Sequence, residues 1–110
     1  MRALAAVIAL FLATTPALAA HPLVEAAIRV FQAVGTETFK LKTFCEFIQL
    51  DEKQGDKDDP VIEAQKDQLL NQLGVFFEVA WVLVERLEEN SPDGKALHAA
   101  LEQLEDKCPK

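Results

Sequence analysis

Carboxylates gather between residues 51 and 63, and of all the side chains in this chain they have the best claim to chemistry. The stretch reads Asp51-Glu52-Lys53-Gln54-Gly55-Asp56-Lys57-Asp58-Asp59-Pro60, and Glu63 follows one helical turn after Asp59. Hard cations such as Ca²⁺ or a trivalent lanthanide take six or more oxygen ligands, and clustered carboxylates offset the loss of hydration. Asp51, Asp56, Asp58, Asp59 and Glu63 are therefore the candidate metal ligands. The spacing is not that of an EF-hand. Counted from Asp51, Gly55 falls at position five and Glu63 at thirteen, each one place from the loop's glycine and glutamate. Counted from Glu52, Glu63 reaches position twelve, but Lys57 takes the glycine place and Pro60 takes position nine. A site here is irregular and exposed, and Lys53 and Lys57 weaken its field. The structural alternative is a solvated loop in which Asp58 and Asp59 favour the positive end of the next helix.

Histidine supplies a second metal idea. A chain beginning at His21 would chelate copper through its amine and imidazole, with His98 as a third ligand, although isolated histidines usually cap helices or face solvent. Catalysis finds no footing. There is no nucleophile elbow, no phosphate-cradling glycine loop, no H-E-x-x-H and no tyrosine, and Ser91 precedes Pro92 as a helix cap would. The chain reads as a non-enzyme without an organic cofactor.

The elements that must position these groups begin after a leader. Residues 1–19 carry a basic Arg2, an apolar run from Ala3 to Ala13 and the small-residue sequence Ala17-Leu18-Ala19. That is the pattern of a secretory signal peptide cut after Ala19 or Ala20, and the run is too short for a stable membrane anchor. The expectation is a periplasmic chain with a single helical domain over 20–110. Losing Arg2 leaves 10 basic against 18 acidic side chains, so the net charge moves from -7 to -8. Such a chain disfavours nucleic acid and anionic membranes, and favours a metal cation or a basic protein partner. Two cysteines in an exported chain argue for a Cys45–Cys108 disulfide over free thiols or half of a soft-metal site.

Hydrophobic periodicity predicts an all-α fold, a small four-helix bundle. The first helix starts at Pro22, carries Leu23, Ala27, Val30, Phe31 and Val34, and stops at Gly35. The second opens at Thr36 and runs to about Leu50, with Leu41, Phe44, Cys45 and Ile48 on its apolar face and Phe39 and Phe47 to either side. The third runs from Pro60 to about Glu89, with Gly74 a place for a bend. Its segment Val75–Val84 is apolar nearly all round, the mark of a central bundle helix or of a homodimer seam, and Phe76, Phe77 and Trp81 read most simply as core. The fourth follows Ser91-Pro92 and reaches about Lys107, and Leu97, Leu101, Leu104 and Cys108 form one stripe. Cys108 then meets Cys45 on the second helix, closing a loop worth about 3–5 kcal/mol in the chain-entropy model.

A small exported acidic helical chain with an exposed carboxylate cluster resembles the LanD-type lanthanide-binding proteins of the periplasm. The resemblance lies in layout and loop chemistry, and it implies that several of Asp51, Asp56, Asp58, Asp59 and Glu63 ligate the ion. Water or a second protomer would complete the shell. The alternative class is a protein-binding module. The chain is similar in outline to secreted immunity proteins that block an enzyme, and to HdeA-type acid-stress chaperones with a small helical body and a disulfide.

Overall fold

Prolines set the starts of three helices in the computed structural model, which describes residues 21–110. Five helices form among these residues: α1 (Pro22–Thr36), α2 (Thr38–Gln54), α3 (Pro60–Leu73), α4 (Val75–Arg86) and α5 (Pro92–Glu105). Proline fixes φ and lacks the N–H that would go unpaired in a first turn, so it suits the opening of α1, α3 and α5. The residue before each proline supplies the cap. His21 Nδ1 accepts the Leu23 N–H at 3.1 Å, Asp59 Oδ1 accepts those of Val61 and Ile62 at 3.0 and 3.3 Å, and Ser91 Oγ accepts that of Gly94 at 3.0 Å.

The start of α2 departs from expectation. Thr36 closes α1, its hydroxyl donating to the Ala33 carbonyl at 2.9 Å, and the extended Glu37 precedes α2 without a side-chain cap bond. A threonine hydroxyl serves either end of a helix, so type alone did not decide which.

The larger correction is the helix count, five where four were expected. The long helix predicted from Pro60 divides at Gly74, whose backbone takes φ 101° and ψ 164°. Only glycine adopts that region without strain, and no helix passes through it. The Gly74 N–H bonds the Leu70 carbonyl at 2.9 Å and closes α3, and its own carbonyl accepts the Glu78 N–H to open α4. Leu73 at the end of α3 and Phe77 in the first turn of α4 both enter the core.

Phe77 is the centre of that core. Its ring meets the edges or faces of Phe31, Phe44 and Phe47 at 5.7, 5.8 and 6.1 Å between centroids, and Trp81 stacks on it at 6.2 Å. Edge-to-face aromatic pairs add to the burial of their area. Around this cluster, α1 packs against α4 and α5, and α2 packs against α1 and α3. Phe47, expected at the margin of its helix, is fully buried, whereas Leu23 and Phe39 are exposed.

The disulfide forms where the stripe on the last helix placed it. Cys45 and Cys108 are bonded with Cα atoms 5.5 Å apart, tying α2 to the turn that follows α5. The all-helical class and the clamp both stand. The signal peptide predicted at 1–19 lies outside the described residues. Among the described residues no helix is long and apolar enough to cross a membrane.

Candidate functional site

Two surfaces compete for function, the acidic turn between α2 and α3 and the outward face of α4. The turn begins where α2 ends at Gly55, a glycine at φ 55° whose N–H bonds the Asp51 carbonyl at 3.1 Å. Asp59 then caps α3, which commits one carboxylate to backbone N–H groups. Two more are committed across the interface of α2 and α3. Lys66 Nζ donates to Asp51 at 2.7 Å and to Gln54 Oε1 at 3.0 Å, and the Gln54 amide donates to Glu63.

Gln54 is buried, so its amide needs partners on both ends, and Lys66 and Glu63 supply them. The Lys66 ammonium also lies 5.5 Å from the Phe47 ring centroid, over an aromatic face that favours a cation. This chain of polar contacts pins α3 to α2. It gives Asp51 and Glu63 structural partners, and Lys66 was not visible as one because it stands fifteen residues from Asp51.

Of the five predicted ligands, then, Asp51, Asp59 and Glu63 are engaged with protein groups, while Asp56 and Asp58 are exposed. Among the described residues, no three His, Cys, Asp or Glu side chains are brought together as a group that could hold a metal ion. His21 is engaged as a helix cap and His98 is half-buried on α5.

A second acidic group lies at the disulfide. Glu105 ends α5, and burial pushes its carboxyl above the ordinary value of 4.5, with Glu52, Glu102, Asp106 and Asp51 adding like-charge repulsion. A carboxylate is also disfavoured at a helix C-terminus. Lys107 reaches away from this group, its ammonium 3.4 Å from the Gly35 carbonyl near the end of α1.

The face of α4 offers different chemistry. The helix is apolar on both sides, and only one side faces the core. Phe77 and Ala80 are buried, with Trp81, Leu83 and Val84 packed at their edges. On the other side Val75 is 64 % exposed, Phe76 75 %, Val79 48 % and Val82 42 %. Phe76 was expected in the core with Phe77; adjacent residues on a helix point about 100° apart, and the core took Phe77. Val75, Glu78, Val79, Val82, Leu83 and Arg86 line a shallow groove of about 260 Å³ along this side. Single exposed apolar residues are ordinary, but a contiguous row along one helix marks an interaction surface.

Comparison with protein-family models, with characterised proteins and with solved structures finds no match to this chain.

Proposed function

We propose that this is a non-catalytic, exported protein-binding module that engages its partner through the outward face of α4. The observation that carries the reading is the exposed row Val75, Phe76, Val79 and Val82 on a helix whose opposite side is already seated in the core. Water gains nothing by contact with that row, and covering it supplies the main driving force for association. The periplasm is supported as the setting by the leader-like residues before His21 and by a disulfide, which persists in oxidising compartments.

The lanthanide or calcium reading of residues 51–63 has weaker support, because one oxygen each of Asp51, Asp59 and Glu63 already accepts a hydrogen bond and, among the described residues, no three ligating side chains are brought together. Saturable terbium binding at micromolar metal, lost in the Asp56→Asn/Asp58→Asn/Asp59→Asn variant, would restore it. An acid-stress chaperone also has weaker support. Acid would loosen the Asp51–Lys66 pair and the Asp59 cap, but the α4 row is already exposed in the folded state and needs no such loosening to be reached.

The test is co-purification from periplasmic extract with a tagged full chain and with its Val79→Asp/Val82→Asp variant. The expected result is a stoichiometric partner protein held by the first and lost by the second, with thermal unfolding unchanged. A partner retained by the variant, or a wild-type chain that elutes alone at every salt concentration, overturns the reading.

A further inference from the structure

We infer that the partner covering α4 is an amphipathic helix with a basic edge, an inference that rests on the binding-module reading above. Val75, Val79, Val82 and Arg86 follow one another at spacings of four, three and four. That is the repeat by which one helix lies along another, knob into hole. α4 has 12 residues and is about 18 Å long; its three valines cover about 10 Å of that, two turns of a partner helix, and the charged Arg86 closes the stripe.

The two edges of the stripe differ. Glu78 and Glu85 stand seven residues apart and share one edge, while Phe76 and Leu83, also seven apart, share the other. A helix that covers the valines therefore meets carboxylates along one side and apolar surface along the other. Lysine or arginine on the first side satisfies those carboxylates at the rim. The chain's net charge of -7 adds attraction at longer range.

A second copy of this chain is a poor occupant. Laid antiparallel, the stripe sets Glu78 of one copy against Glu85 of the other. Laid parallel, it brings the two Arg86 side chains together on the seam. Either arrangement faces like charges across the contact, and both copies are acidic.

The experiment uses the full, disulfide-bonded protein and two synthetic helical peptides of about twenty residues with the same leucine stripe. One peptide carries lysine along the edges of the stripe and the other glutamate, and binding is read by fluorescence anisotropy at low salt. The lysine peptide is expected to bind about tenfold more tightly than the glutamate peptide. The gap should close to about twofold in the Glu78→Gln/Glu85→Gln variant and at high salt, and Val79→Asp should weaken both peptides. Equal affinities, a tighter glutamate peptide, or a gap that survives in the Gln variant overturns the inference. So does insensitivity to Val79→Asp, which would reduce the contact to bulk charge, or dimerisation of the chain in sedimentation in place of peptide binding. Failure of both peptides also overturns it; co-purification of a partner lost on Val79→Asp/Val82→Asp would then leave the binding-module reading standing alone.

Discussion

Removing the Cys45–Cys108 bridge is the perturbation whose size follows most directly from the chain's connectivity. The two cysteines are 63 residues apart, so the bond closes most of the folded domain into one loop. In the chain-entropy model a loop of that length lowers the entropy of the unfolded state by roughly 14 cal/mol/K, or about 4 kcal/mol at 25 °C. A domain of about 90 residues has a total stability of roughly 5–13 kcal/mol, so the clamp supplies a large share. The assay is urea unfolding followed by circular dichroism, comparing the oxidised chain with Cys45→Ala/Cys108→Ala. With a slope near 1 kcal/mol per molar urea, the midpoint should fall by about 3–4 M. The reduced wild-type chain should fall with the variant, because both lose the same constraint. A loss under about 1 kcal/mol would refute the reasoning, showing either that the unfolded chain is already compact or that the bridge does not form.

Three further outcomes follow from particular contacts. A Cβ at Gly94 would lie 1.9 Å from the Glu88 carbonyl oxygen, so Gly94→Ala should lower stability by about 1–3 kcal/mol in the same urea assay. Phe77→Ala empties the centre of the aromatic cluster and should cost about 3–5 kcal/mol, whereas its exposed neighbour in Phe76→Ser should change stability by less than about 0.5 kcal/mol. Because the Glu105 carboxyl is raised in the folded state, that state holds its proton more tightly than the unfolded chain between 4.5 and the raised value. Stability contributed by this group is present at low pH and lost as pH rises through that window. Glu105→Gln should therefore raise the melting temperature at neutral pH and flatten its dependence just above 4.5.

Local signals in the sequence located most of the helix starts, and tertiary choices account for what they missed. Pro22, Asp59-Pro60 and Ser91-Pro92 mark helix openings because cap and proline act within four residues, and all three appear in the fold. The Cys45–Cys108 pairing was legible for a related reason, since each cysteine continues an apolar stripe. Gly74 was harder. Helical periodicity runs through it unbroken: Leu73 and Phe77, four residues apart, would share one face of a continuous helix as well, so the spacing does not mark the division. The exposed face of α4 was hidden because a segment apolar on every side does not reveal which side the core will take. At the acidic turn the sequence displayed its carboxylates without their partners. Lys66 and Gln54, which engage Asp51 and Glu63, are joined to them only by the packing of α3 on α2.

The outward face of α4 as a docking surface is tested most directly by site-specific photo-cross-linking in the living cell. A benzophenone side chain placed at Val79 is expected to yield a single protein adduct, and the same probe at the exposed Lys95 of α5 none. The Val79 adduct should disappear when Val82→Asp is added. Adducts that form equally from both positions, or none from Val79 while the chain is folded and oxidised, would contradict a partner seated on that face.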